Sequence, residues 1–120
     1  MKEYALVFRT SSNGNAPQPT PEQAQQMMTG WMNWMGSIAA QNKLANSGSR
    51  LGIADSKVVK PGDVVTNGPY TEVKEFINGY IIVRTETLDE AVEIAKECPM
   101  VTGGGGNVEV RPLVTPDNNS

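Results

Sequence analysis

The sequence predicts an α+β fold of the ferredoxin-like βαββαβ type, an antiparallel sheet with two helices on one face. Residues 3–9 and 80–86 are apolar on both of their alternating faces, which is typical of strands in the centre of a sheet. Capping boxes at Thr20 and Thr87 each begin a helix after one of the strands. The last apolar stretch alternates with charges and contains Pro112, so it belongs at a sheet edge.

The composition restricts the class of protein. The chain has 120 residues, 38% of them apolar, and a formal charge of -3. This length predicts one domain, which we assign to residues 1–115, with a polar tail over residues 116–120. Lysine and arginine form no cluster in the sequence, which argues against nucleic acid as a partner. We see no signal-peptide pattern and no membrane-length apolar run, so we expect a cytoplasmic protein without membrane contact.

Two residue counts restrict the chemistry. The chain contains no histidine, so neither a Ser-His or Cys-His nucleophile nor a histidine-containing zinc site can be built from it. The sequence has one cysteine, Cys98, which excludes a disulfide within the chain and fits a reducing compartment. Its place on an apolar helix stripe predicts a buried, unreactive thiol. The carboxylates show no metal-ligand spacing, and we expect neither a metal nor a cofactor.

The first strand and the first helix have clear sequence patterns. Tyr4, Leu6 and Phe8 share one face of the strand, and Ala5 and Val7 share the other. After a polar loop over residues 11–19, the helix begins at the Thr20 cap; we expect it to continue to about Ala45 and to end at Gly48. Its inward stripe is Ala24, Met27 or Met28, Trp31, Met35, Ile38 and Ala39, with Met32 and Trp34 beside it.

This stripe favours packing on the sheet, although methionines could also line an adaptable ligand pocket. Gly30 and Gly36 are expected to allow close packing of the helix.

The middle of the chain has weaker patterns. Residues 49–60 are a candidate second strand, interrupted near Ala54, and residues 64–66 form a short strand that pairs back on it. In the third main strand, Tyr80 and Ile82 face one side and Ile81 and Val83 face the other.

A short second helix is expected to end at Pro99, and its apolar stripe is Leu88, Ala91, Val92, Ile94, Ala95 and Cys98. Residues 103–106 are a flexible glycine connector and not a phosphate loop, because no Lys-Ser/Thr follows. In the last strand, over residues 107–114, Val108, Val110 and Val114 point inward and Glu109 and Arg111 point outward.

Two helices cover only one face of such a sheet. The apolar opposite face of the central strands then needs a partner, because monomers rarely expose a large contiguous apolar patch. We therefore expect a homodimer that buries sheet against sheet.

The segment over residues 66–75, Thr-Asn-Gly-Pro-Tyr-Thr-Glu-Val-Lys-Glu, resembles the DGPF signature of the YCII-related proteins. The family's pattern also resembles five other segments, so the likeness covers about residues 3–114. These segments are residues 31–35, 79–83, 88–91, 98–99 and 108–112. The resemblance implies a dimeric α+β barrel, in which two ferredoxin-like subunits pair through their sheets. The activity of the family is mostly unassigned; enzymatic roles have been suggested, and some members are linked to sigma factors.

Two positions depart from the signature. Asn67 stands where the signature has aspartate, and Tyr70 stands where it has phenylalanine. An amide does not titrate, so an acid–base role for that aspartate would be lost here. A His-Asp pair, around which relatives are discussed, is also impossible without histidine. Both departures argue against acid–base catalysis.

Six residues are candidates for ligand binding, and none is assigned as catalytic. They are Asn67, Tyr70, Glu72, Lys74, Arg84 and Arg9. In the functional interpretation, the first four line a pocket, with Glu72 as base or acceptor and Lys74 as an anion contact. In the structural alternative, Asn67 belongs to a turn and Glu72 and Lys74 form a solvated pair. Arg9 and Arg84 lie at strand ends, where they would meet a ligand, a carboxylate or solvent.

Three functions follow from these observations. We favour a homodimeric small-ligand-binding or accessory protein without catalysis. The alternatives are a cofactor-free enzyme acting on a small organic molecule in the barrel cleft, and a protein-interaction module in transcriptional control. The missing histidine and the amide at Asn67 favour the first function over the second.

Overall fold

The central sheet contains four antiparallel strands, and a separate two-stranded sheet accompanies it. A computed structural model describes residues 1–10, 20–52, 55–68 and 76–114. The elements are β1 (Lys2–Thr10), α1 (Pro21–Ala40), β2 (Leu44–Arg50), β3 (Lys57–Lys60), β4 (Val64–Asn67), β5 (Phe76–Thr85), α2 (Leu88–Lys96), α3 (Pro99–Thr102) and β6 (Asn107–Pro112). None of the described helices is both long and apolar enough to cross a bilayer.

The strand order of the central sheet is β2-β5-β1-β6. The first and third strands of the ferredoxin-like pattern, β1 and β5, therefore lie in the centre, and the strand with Pro112 lies at an edge, as predicted. Leu6 pairs with Ile81 on one side and with Val110 on the other. This register places alternate residues of all three strands on the same face.

The core lies between one face of the sheet and the helices. The sheet contributes Tyr4, Leu6, Phe8, Ile81 and Val83, and the helices contribute Trp34, Ile38, Ala91, Ala95 and Cys98. The predicted face of β1 and the predicted burial of Cys98 are both confirmed. The expected inward position of Val114 is wrong, because β6 ends at Pro112 and Val114 is 59% exposed.

Only the C-terminal half of α1 packs on the sheet. Its buried stripe is Trp31, Trp34, Met35 and Ile38, and Trp34 is central to it, not beside it. Phe8 meets Trp31 edge to face at a centroid distance of 4.9 Å, and the Trp34 indole Nε1 donates to the carbonyl of Ile94 at 3.0 Å. These contacts support the core interpretation of this helix face.

The N-terminal half of α1 differs from the expected stripe. Ala24, Met27, Met28 and Met32 are exposed, and so is Ala39. A Cβ at Gly36 would meet nothing within 4 Å, so the close packing expected there is absent among the described residues. At Gly30 the nearest such neighbour is Pro99 Cγ at 3.7 Å, an ordinary contact.

Helix α1 ends five residues earlier than the sequence predicts. Asn42 has a φ of 59°, its backbone N–H donates to the Ala39 carbonyl at 2.9 Å, and the Lys43 N–H donates to the Ile38 carbonyl at 3.1 Å. These two bonds form a Schellman motif with asparagine in place of the commoner glycine. The chain then continues as β2, which begins at Leu44, four residues before Gly48.

The second strand of the main sheet is therefore Leu44–Arg50 and not residues 49–60. Part of the expected strand is β3, which pairs with β4 in the separate sheet, so the pairing predicted for residues 64–66 is confirmed. Three sequence expectations concern residues outside the described ranges: the loop at residues 11–19, the interruption near Ala54 and the tail at residues 116–120.

The glycine connector is held to the core at both ends. Residues 99–102 form the short helix α3, and the N–H groups of Gly105 and Gly106 both donate to the Met100 carbonyl. The Thr10 hydroxyl donates to the Gly105 carbonyl at 3.2 Å. The expected glycine connector is therefore a hydrogen-bonded turn in this structure, and its flexibility stays a prediction.

Candidate functional site

The candidate site is the side of the central sheet that faces away from the helices, which we call the open face. The molecule is 18 Å thick along its shortest axis, which corresponds to a sheet and a single layer of helices. Ala5 and Val7 of β1 lie opposite Ile82 and Tyr80 of β5 in the middle of this face. These apolar residues are only partly buried in the single chain, and Tyr80 is 37% exposed.

Charged side chains lie beside this apolar centre at the end of β1. The Arg9 guanidinium donates through Nε to Glu109 Oε1 at 2.9 Å, and its Nη2 lies 2.9 Å from the same oxygen. Arg111 donates through Nη1 to the other oxygen, Oε2, at 3.3 Å. We call these three side chains the arginine cluster. It forms because alternate residues of β6 point to the open face, where Glu109 lies opposite Val7 and next to Arg9.

The arginine cluster carries a surplus of positive charge. Two guanidinium groups share one carboxylate, and both oxygens of that carboxylate are engaged. The hydrogen bond from Arg9, assisted by the charge of Arg9 and by Arg111, lowers the pKa of the Glu109 carboxyl against the opposing effect of desolvation. Glu109 is therefore ionised near neutral pH and serves as an orienting acceptor for the two arginines.

Acidification is expected to remove this interaction. The pKa of Glu109 in the folded protein lies below its ordinary value of 4.5, so its contribution to stability is fully present above that value and is lost as the pH falls through the lowered pKa. Urea unfolding between about pH 7 and about pH 3 should show a larger loss of stability in the wild type than in Glu109→Gln. Equal acid sensitivity of the two proteins would contradict this assignment.

The second predicted arginine lies at the opposite end of the open face. Arg84 Nη2 is 4.0 Å from Glu3 Oε2, and Arg84 pairs with Glu3 across β5 and β1. Glu3 and Arg9 are separated by six residues of one strand, or roughly 20 Å. The structure therefore places both arginines on the same face but does not bring them together in one subunit.

The remaining predicted residues do not join this site among the described residues. Asn67 is exposed at the end of β4, and its side-chain oxygen accepts a hydrogen bond from Lys57 Nζ within the β3–β4 sheet. No hydrogen bond or ion pair joins Asn67 to Arg9 or Arg84 in the described part of the chain. Tyr70, Glu72 and Lys74 lie outside the described residues.

The cysteine thiol and the acidic side chains were the other candidates for a reactive or metal-binding site. Cys98 is fully buried, so its sulfur is inaccessible to solvent. The same desolvation raises the pKa of its thiol, which favours the protonated form. Across residues 1–10, 20–52, 55–68 and 76–114, no three acidic or cysteine side chains come together as metal ligands.

Sequence reasoning missed Glu109 and Arg111 as members of the site. The alternation Val-Glu-Val-Arg shows that both charges lie on one face of the strand, but it does not show which residues of β1 they meet. The register between β6 and β1 supplies that information, because it sets Glu109 opposite Val7.

Comparisons with known proteins agree with this fold. The family model of the YCII-related domain matches residues 3–114. An uncharacterised protein of Rhizobium meliloti (strain 1021) is 36% identical over 50 residues, which cover 42% of this chain and only 40% of that protein. The solved structure of 5-chloro-2-hydroxyhydroquinone dehydrochlorinase from Burkholderia phenoliruptrix AC1100, in complex with 2,5-dihydroxybenzoquinone, has a TM-score of 0.54 and 13% identity, over 98% of this chain and 99% of that one. At this identity, the likeness shows a shared fold alone.

Proposed function

Because this chain belongs to the YCII-related family, we propose that it is a homodimer that binds a small organic molecule where its two sheets meet, without catalysis of its own. The observation that carries this proposal is the open face, whose apolar centre is partly exposed in a single chain. A second copy that presents the same face would bury both apolar centres at once, which a two-fold dimer does by symmetry.

The small-ligand part of the proposal is supported by the composition of the open face. An apolar strip with a few polar groups at its border is the usual lining of sites for small organic molecules. Val7 and Tyr80 form part of the strip, and the arginine cluster borders it. A protein of the same fold is known in complex with 2,5-dihydroxybenzoquinone, a small ring compound.

A second candidate function is a cofactor-free enzyme acting on such a ring compound, since that neighbour is named a dehydrochlorinase. The arginine cluster suits binding better than proton transfer. A general acid works best with a pKa near the operating pH, whereas the pKa of Glu109 is lowered and both its oxygens accept hydrogen bonds. We also propose a cytoplasmic location, which a chain with one cysteine and no internal disulfide fits.

The mass of the protein in solution tests the proposed dimer. Size-exclusion chromatography with light scattering at micromolar concentration should give twice the subunit mass of 12.9 kDa. The mass should persist when the ionic strength is raised, because apolar contact is not screened by salt. A stable species of one subunit under these conditions would refute the proposed assembly.

A further inference from the structure

We propose that the arginine cluster binds the carboxylate of a small aromatic acid whose ring lies over Val7 and Tyr80. This inference rests on the proposed small-ligand function and names the chemical class of its ligand. It combines the charge of the cluster, the donors that the cluster still offers and the apolar surface beside it.

The charge of the cluster fits a monoanion. Arg9 and Arg111 contribute two positive charges and Glu109 one negative charge, so one positive charge lacks a counterpart within the cluster. A single carboxylate would neutralise it. A dianionic phosphate would bring a second negative charge close to Glu109, where like charges repel.

The geometry of the cluster leaves donors for such a ligand. A guanidinium has five N–H donors; Arg9 uses Nε and Nη2 on Glu109, and Arg111 uses Nη1. Among the described residues, neither Nη1 of Arg9 nor Nη2 of Arg111 donates to an acceptor. Because Glu109 holds both groups, they are oriented before the ligand arrives, which lowers the entropic cost of binding.

The apolar surface next to the cluster sets the kind of anion. Glu109, Val7 and Tyr80 follow one another across β6, β1 and β5, and two strand spacings span roughly 10 Å. An aromatic acid with one ring bridges that distance, with its carboxylate on the guanidinium groups and its ring on the aliphatic and aromatic side chains. Planar guanidinium groups match carboxylates in a paired geometry, which also favours this class.

Calorimetric titration with benzoate tests the assignment, with benzamide as the neutral analogue and inorganic phosphate as the competing anion. Benzoate should bind wild-type protein saturably, and its affinity should exceed that of benzamide and phosphate by at least about tenfold. Arg9→Gln and Arg111→Gln should each weaken benzoate binding by about tenfold or more. Arg84→Gln, an identical change at the far end of the open face, should leave the affinity unchanged.

The outcomes separate this inference from the proposed function. Light scattering on the same samples reports the dimer, and Arg111→Gln retains the Arg9–Glu109 pair if Arg9→Gln does not fold. Dimeric wild-type protein that does not bind benzoate, that binds benzamide equally well, or that loses affinity equally in Arg84→Gln overturns the carboxylate site alone. A monomeric wild-type protein overturns the proposed dimer, whatever it binds.

Discussion

The Ile82→Asp variant is expected to elute as a folded monomer. Ile82 lies in the middle of the open face, between Ala5 of β1 and Asn46 of β2. In a dimer joined through this face, each subunit would bury one unpaired carboxylate. Together these cost about 3 kcal/mol or more, which weakens the dimer roughly a hundredfold. Light scattering across a dilution series measures the shift directly.

A matched control places the same charge outside the open face. Val59 of the β3–β4 sheet is 73% exposed, so Val59→Asp should remain dimeric. The core lies on the other side of the sheet, so the far-ultraviolet circular dichroism spectrum of Ile82→Asp should match that of the wild type. The lower β-propensity of aspartate should reduce the free energy of unfolding by up to ~1 kcal/mol. A folded, fully dimeric Ile82→Asp protein at low micromolar concentration would show that this face is not the interface.

Replacing Gly48 by alanine is expected to cost about 3 kcal/mol or more in the free energy of unfolding. Gly48 has a φ of +64° at an irregularity in edge strand β2, where its N–H donates to Asn46 Oδ1 at 2.7 Å. A Cβ there would overlap the carbonyl oxygen of Tyr80 and lie 2.6 Å from its carbonyl carbon. Because both of these neighbours are backbone atoms, β2 would have to move away from β5.

Urea unfolding at one fixed protein concentration measures this loss, since the stability of a dimer depends on concentration. Gly36→Ala is the matched control, because its new methyl group meets nothing within 4 Å in the middle of α1. It should stabilise the protein by about 0.5–1 kcal/mol. If both alanine variants unfolded at the same urea concentration, the close approach at Gly48 would not hold in solution.

The sequence predicted the elements whose signals are local. The capping box of α1 is present as expected, with the Thr20 hydroxyl accepting from the Gln23 N–H and the Gln23 side chain accepting from the Thr20 N–H. The alternating faces of β1 and β5 were also predictable, because every second residue of a strand points the same way. Both signals depend on residues that are close neighbours in the chain.

Predictions failed where residues distant in the chain decide the structure. The segment Leu-Ala-Asn-Ser-Gly-Ser-Arg has little intrinsic strand preference, yet it is β2 because β5 offers it backbone hydrogen bonds. The end of α1 was misplaced for a related reason. Asn42 and Gly48 both adopt positive φ, and only the chain path shows which of them ends the helix.

The candidate site shows the same division. The sequence by itself determined that Arg9, Arg84, Glu109 and Arg111 are charges on strands with apolar faces, and that histidine chemistry is impossible. Only the tertiary structure decided that Arg9 and Arg111 share Glu109 and that Arg84 lies at the far end with Glu3. The physical reason is the register of antiparallel strands. A shift of one residue would reverse the face of every side chain, and the pairing of strands far apart in the chain sets that register.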